Sequence, residues 1–295
     1  MWFVKKRKIW FAISGTLVVL SIIFTAVWGL DFGIDFTGGS LAEIRFNDGA
    51  PDIPALRETL ASLELGNTNV QPTEENTVIF RFQFLDDQKR NEVVGLLEEQ
   101  YGSVEELRFT SIGPIIGEEL RVKTFYAIVG VLVAIILYVA YAFRKVSKPI
   151  SSWKYGLLTI VAAFHDTIIP IGIFAVLGHF YDFEVNAAFV AALLTIMGYS
   201  VNDTIVVFDR VRENLLKTSG SFEEIVGRSI DQTITRSINT SFTTLLALLA
   251  IFIFGGETIR AFTGVLIIGI AVGAYSSVFL ASPLLVSWER FRLKK

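Results

Sequence analysis

The chain has no cysteine, which excludes disulfides, thiolate metal sites and cysteine nucleophiles, and leaves the redox compartment open. It has only two histidines and no H-E-x-x-H or comparable ligand cluster, so no metal centre is expected. Neither a G-x-x-x-x-G-K-[ST] phosphate loop nor a G-x-G-x-x-G run occurs. Nucleotide-driven transport is therefore unsupported, and no cofactor and no bond-making catalytic residue is expected. Basic residues are split among short loops and termini instead of gathering on one face, so the footprint of a nucleic-acid binder is missing as well.

What the chain has in excess is apolarity. Of 295 residues 52% are hydrophobic, and the mean hydropathy of +0.55 is too high for an ordinary soluble domain. Windows long enough to cross a bilayer recur six times, near 9–30, 124–143, 155–178, 187–208, 237–254 and 262–288. The third and fourth are joined by the short GHFYDFEVN connection, the fifth and sixth by GGETIRA.

The net charge of −3 hides a sharp segregation. Residues 31–121 hold 18 Asp/Glu and 7 Lys/Arg, a balance of 7 − 18 = −11, while the rest of the chain balances at 19 − 11 = +8. One side of the predicted membrane collects Lys5, Lys6, Arg7, Lys8, Arg144, Lys145, Lys148 and Lys154. It also holds Arg210, Arg212, Lys217, Arg290, Arg292, Lys294 and Lys295. The two short loops on the other side carry a single basic residue, Arg260. The positive-inside rule then puts both termini in the cytoplasm and the acidic segment 31–121 outside. A signal peptide is the rival for the first window, since KKRK precedes it. The apolar run is longer than the usual ~7–15 residues and no A-x-A site follows, which favours an uncleaved anchor.

Within the outer segment SLAEIRF alternates as a strand, and IPALRETLASL has helical spacing with Asp52 as its N-cap and Pro54 in the first turn. A short strand at NVQPT, a clearer one at TVIFRFQF, the helix DDQKRNEVVGLLEEQY and a last strand SVEELRFTSI complete a βαββαβ order. The predicted fold is thus a polytopic α-helical membrane protein with six transmembrane helices and a small α+β ferredoxin-like (βαββαβ) extracytoplasmic domain between helices 1 and 2. Its parts are 1–30, the N-terminus and first helix; 31–121, the outer domain; and 122–295, a five-helix membrane domain.

Asp203 is the leading functional candidate. The 16 residues before it, from Ala187 to Asn202, carry no charge. A charge in an apolar span costs about 2.5–3.5 kcal/mol on insertion scales, so it needs a partner or a task. Arg236 opens the next apolar run. If Asn186 and Phe254 mark the outer face, Asp203 lies about 25 Å inward and Arg236 about 27 Å, at ~1.5 Å per residue, so the two charges match in depth on antiparallel helices. The alternative is structural. Ser200-Val-Asn-Asp203 fits the [ST]-x-x-[DE] capping box, with Gly198 easing a break and Asp203 capping a helix that restarts.

Other residues carry paired readings. His165 and Asp166, mid-membrane beside Pro170, are either a second relay station or a polar pair that hydrogen-bonds neighbouring helices. Asp31 and Asp35, with Gly38 and Gly39, suggest a turn or hinge between span and domain. GIAVG at 269–273 is a GxxxG element, facing either a partner or this bundle. Ser241, Thr243 and Thr244 line a polar path or bond their own helix. Ser200, Asn202 and Thr240 are oxygen donors for sodium, should sodium be the coupling ion.

These residues sit in motifs that identify a family. GLDFGIDFTGGS, IGPIIGEEL, the HD pair, GYSVNDTIVVFDRVREN and TRSINTSFTTLL together resemble the SecD/SecF family of bacterial protein export, in its smaller SecF-type half, within the resistance–nodulation–division (RND) superfamily. The resemblance covers essentially the whole chain. It implies a subunit in the bacterial inner membrane that uses the proton or sodium gradient to promote late steps of preprotein translocation. It further implies SecD as the separate chain with the other six spans, the SecYEG channel as larger partner, YajC and YidC as further partners, and unfolded preprotein as substrate. In the family the Asp of GYSVND and the Arg before the fifth span are implicated in proton movement; here these are Asp203 and Arg236. Two rival functions are an RND-type small-molecule exporter half, disfavoured by the short outer region, and a non-conducting translocon scaffold.

Overall fold

Side-chain caps fix the starts of some helices in this chain, and apolar length sets the rest. The computed structural model describes residues 2–63, 65–66, 68–73, 76–144 and 151–293. Lys145, Lys148, Lys294 and Lys295 of the predicted cytoplasmic set, together with the side chain of Arg292, lie outside what is described. In chain order the elements are α1 (Trp2–Lys5), α2 (Arg7–Trp28), α3 (Ile34–Thr37), β1 (Gly39–Phe46), α4 (Ile53–Ala61), β2 (Asn69–Pro72), β3 (Thr77–Phe82), α5 (Asp87–Tyr101) and β4 (Val104–Ile112). The chain then continues with α6 (Pro114–Ala142), α7 (Ser152–Tyr181), α8 (Ala187–Lys217), α9 (Phe222–Phe254) and α10 (Glu257–Ser276). A π-helical turn, Ser277–Ala281, joins α10 to α11 (Ser282–Leu293).

Two compact units result: residues 1–31 with 126–295, and residues 32–125. Among the described residues six helices are long and apolar enough to cross a membrane: Arg7–Trp28, Pro114–Ala142, Trp153–Tyr181, Ala187–Lys217, Phe222–Phe254 and Ile259–Phe291.

The smaller unit is the expected βαββαβ fold. Its four strands are antiparallel in the order β2-β3-β1-β4. Alternation along β1 and β3 sends Ala42, Ile44, Phe46, Val78, Phe80 and Phe82 to one face, where Leu56 and Leu60 of α4 and Val93 and Leu97 of α5 cover them. Each of the Val, Leu, Ile and Phe side chains among them contributes roughly 1.5–3 kcal/mol on burial. Asp86 caps α5 by accepting from the Lys89 N–H at 2.8 Å. Asp52 stands at the N-cap of α4 without a side-chain bond, and Pro54 lies in the first turn as expected.

In the larger unit the predicted windows are the apolar centres of longer helices. The helix α8 continues to Lys217, because its charged end satisfies itself through Arg212–Asp209, Arg210–Glu213 and Lys217–Glu213 pairs, each at 2.7 Å. Asn186 starts α8 by accepting from the Phe189 N–H at 2.9 Å, and a Ser221–Glu224 capping box starts α9. Helix contacts depend on small residues, as expected where apolar burial gives no driving force against lipid. A Cβ on Gly172 of α7 would overlap Ser21 of α2, and one on Gly269 of α10 would overlap Ile196 of α8. The GxxxG element therefore packs inside this bundle, against α8. At one end of the bundle Tyr155 stacks on Phe143 at 5.1 Å and meets Phe208 edge-on at 5.3 Å. Glu223, at the start of α9, receives both Arg7 of α2 and Arg290 of α11.

Candidate functional site

The functional candidates fall into two polar clusters that meet α8 one helical turn apart, at Ser200 and at Asp203. The first is built on Asp166, which is fully buried in α7. Ser200 of α8 and Ser276 of α10 each donate a hydroxyl to Asp166 Oδ2 at 2.5 Å. His165 Nδ1 lies 2.7 Å from Oδ1. A carboxyl out of reach of water survives only when its lone pairs are satisfied, and three donors do this. His165 Nε2 is buried and has no hydrogen-bond partner. The imidazole stacks on Tyr275, ring centres 6.3 Å apart, and the Tyr275 hydroxyl accepts from Ser14 at 3.3 Å and donates to the Trp10 carbonyl at 3.4 Å.

The second cluster is Asp203. Its half-buried carboxylate accepts a long hydrogen bond from Ser241 of α9 at 3.4 Å. It borders a narrow cleft lined by Tyr199, Ser200, Asp203, Ser241, Ile270, Gly273 and Ala274. Arg236 is exposed and acts on Asp203 only through space; among the described residues no ion pair joins them. The expected depth match is thus offset. Ser241, five residues further along α9, occupies the position opposite Asp203, because matching depth counted along two axes does not fix which side chain faces which.

The capping-box reading of Ser200 and Asp203 is overturned. The helix α8 runs unbroken through Gly198, Ser200, Asn202 and Asp203. Mid-helix backbone N–H groups are already bonded, so a cap has nothing to satisfy. The Ser200 hydroxyl goes to Asp166 instead. Gly198 has open space around its Cβ position and marks no break.

The three candidate sodium donors do not converge. Ser200 lines the cleft, Asn202 is exposed, and the Thr240 hydroxyl bonds the Arg236 and Ser237 carbonyls of its own helix. Of the three α9 hydroxyls expected along a polar path, Thr243 bonds α9 carbonyls, Thr244 bonds an α9 carbonyl and lies 3.5 Å from the hydroxyl of the cleft-lining Tyr199, and Ser241 reaches Asp203. The histidine and acidic side chains form no group of metal-holding geometry among the described residues.

Asp31 and Asp35 belong to the glycine motif that follows the C-terminal end of α2. The Asp31 carbonyl accepts from the Val185 N–H at 2.7 Å, and Asp35 stands in the first turn of α3. Gly38 has φ +72° and a Cβ there would sit 2.7 Å from Pro114 Cα; Gly39 has φ +135° and a Cβ there would sit 2.7 Å from the Phe82 carbonyl oxygen. Both demand glycine through handedness and close approach.

Sequence reasoning missed Ser276, Tyr275 and the role of Gly273. A signal existed: Ser276 follows Gly273 by three residues, on the same face as the GxxxG pair. Nothing in the sequence said that this face meets a carboxylate.

Comparison with known proteins assigns the whole pattern. The model of the SecD/SecF C-terminal region of protein export membrane proteins matches residues 93–291, and that of the SecD/SecF GG motif matches residues 23–50. The chain belongs to the SecD/SecF family. Every residue of the two clusters lies within the longer match, except Ser14 and Trp10. Curated SecF subunits of the protein translocase are similar over nearly their full length. That of Thermobaculum terrenum is 42% identical, with 97% of this chain and 93% of the relative covered. That of Anaerolinea thermophila is 40% identical, with 96% and 92% covered. The crystal structure of SecDF from Thermus thermophilus, described as a translocon-associated membrane protein, superposes with a TM-score of 0.85 at 33% identity, covering 98% of this chain. This SecD/SecF-family chain spans only 38% of that longer one. A second SecDF structure, in a super-membrane-facing form, gives 0.70 at 34% identity, covering 99% of this chain and 39% of the other.

Proposed function

We propose that this SecF-type chain couples an ion gradient to late steps of preprotein export, with the Asp203 carboxyl as the coupling group. The observation that carries this reading is a carboxylate inside an apolar helix whose only close partner among the described residues is a weakly held hydroxyl, with a guanidinium nearby but not engaged. Such a carboxyl is free to gain and lose a proton. A carboxyl withdrawn from water holds its proton more tightly and an approaching cation loosens it, so movement of Arg236 relative to Asp203 would load and release the ion. Arg236 itself keeps its charge and acts as a counter-ion. One charge crossing ~100 mV releases about 2.3 kcal/mol, so repeated passage is enough to drive a conformational cycle.

The chain then acts as a transport subunit and not as a bond-making enzyme. SecD is the expected partner, supported by the SecDF structures in which a chain like this one is less than half of the polypeptide. SecYEG, YajC and YidC, and the unfolded preprotein itself, complete the proposed assembly in the bacterial inner membrane. Both termini are placed in the cytoplasm. The basic loops support this, and so does the meeting of Arg7 and Arg290 at Glu223, which puts the two ends of the chain on one side of the bundle.

The test is preprotein release from cells carrying Asp203→Asn at matched membrane levels, with and without a proton gradient. Release is expected to fall and to lose its gradient dependence. Normal, gradient-dependent release would leave a translocon scaffold as the better reading.

A further inference from the structure

The buried Asp166 cluster has no part in the coupling step described above, yet it meets α8 within one turn of Asp203. The connection is Ser200. Its hydroxyl donates to Asp166 Oδ2 at 2.5 Å, and the same residue lines the cleft that holds Asp203. Side chains three apart on a helix are neighbours, with Cβ atoms roughly 5–6 Å apart, so one rotation of the Ser200 hydroxymethyl turns it from Asp166 toward Asp203. Gly273 of α10 lines the same cleft beside them, where an added Cβ would make ordinary contacts with the resting side chains and take up the space next to Ser200. A Cβ there would stand 3.4 Å from Ser200 Cβ and 3.6 Å from Asp166 Oδ2.

We propose that Asp203 and Asp166 are two stations of one proton path, and that the Ser200 hydroxyl carries the proton between them. The inference rests on the reading of Asp203 as the coupling carboxyl. In the step, protonated Asp203 gives its proton to Ser200 Oγ as Ser200 gives its own hydroxyl hydrogen to Asp166 Oδ2. Two O–H bonds break and two form. Asp203 is left as carboxylate, Asp166 as neutral acid, and Ser200 as a hydroxyl turned the other way. No oxidant, reductant or further reactant is involved. Beyond Asp166 stands His165, whose Nδ1 lies 2.7 Å from Asp166 Oδ1.

The structure supplies its own control, because two serines bond the same oxygen. If Asp166 only ties helices together, Ser200 and Ser276 are equivalent, each donating at 2.5 Å. Only Ser200 also borders the Asp203 cleft. The experiment compares Ser200→Ala, Ser200→Thr, Ser276→Ala and Gly273→Ala in the full chain with its SecD-type partner. Gradient-dependent preprotein release, proton flux into proteoliposomes and thermal unfolding are measured for each. Ser200→Ala is expected to lower release and flux by roughly tenfold or more, in keeping with loss of a positioned proton-transfer group. Ser276→Ala, of similar thermal stability, is expected to stay within about threefold, and Ser200→Thr to recover most of the flux. Gly273→Ala leaves every hydrogen-bonding side chain in place but crowds the Ser200 rotation, so flux should fall without loss of stability. This variant carries the test should Ser200→Ala fail to accumulate.

Equal losses in Ser200→Ala and Ser276→Ala, or normal flux in Gly273→Ala, would overturn the relay. If Asp203→Asn abolishes gradient dependence while the two serine variants behave alike, the relay fails and the coupling reading stands. Normal gradient-dependent release in Asp203→Asn sinks both.

Discussion

At the scale of single residues, what matters is which side chain has a committed partner. Asp166 is fully committed, with a donor from each of α7, α8 and α10. Asp203 is not: its carboxylate accepts one long bond from Ser241, so its partner is easily exchanged. Arg236 engages it only through space. Arg236→Lys is therefore expected to keep gradient-dependent release within about threefold, since lysine replaces arginine poorly only where a fork of hydrogen bonds is made. Arg236→Gln should abolish it; export assays at matched expression distinguish the two. Loss in the lysine variant as large as in the glutamine variant would show that the guanidinium closes on Asp203 in another state. Asp203 could be picked from the sequence because an isolated charge in an apolar run is conspicuous. Ser276 could not, because a serine in such a run usually bonds its own helix.

At the scale of elements, the glycines divide into those that hold a contact and those that do not. Gly269 abuts Ile196, so Gly269→Leu should overpack the α8–α10 contact and cost about 1–3 kcal/mol, read as a fall in Tm of the purified protein. Gly198 has nothing within 4 Å of its Cβ position in an unbroken helix, so Gly198→Ala should stabilise by up to ~1 kcal/mol. A lower Tm for Gly198→Ala would revive the hinge. Gly38→Ala places a Cβ 2.7 Å from Pro114 Cα at φ +72° and should cost more than about 1 kcal/mol. The strands and helices of the 32–125 unit were readable because period-two and period-3.6 patterns are local. The ends of α8 and α9 were not, because the apolar window stops where charge begins while the backbone ladder does not.

At the scale of the whole molecule, the absence of cysteine makes topology directly measurable. Asp182→Cys, in the α7–α8 connection, should react with a membrane-impermeant maleimide in intact cells. Thr218→Cys, between α8 and α9, should react only after the membrane is opened. The reverse pattern would invert the chain and move the acidic unit to the cytoplasm.

The six spans, the βαββαβ order and the candidacy of Asp203 were determined by sequence alone, since each follows from hydropathy, periodicity or an isolated charge along one stretch of chain. The three-helix tie at Asp166, the substitution of Ser241 for Arg236 as the immediate neighbour of Asp203, and the bridging position of Ser200 were decided only by tertiary structure. All three depend on the rotation of one helix about its axis relative to another, and that rotation is set by contacts such as the one at Gly269, where the missing side chain lets α10 approach Ile196 of α8.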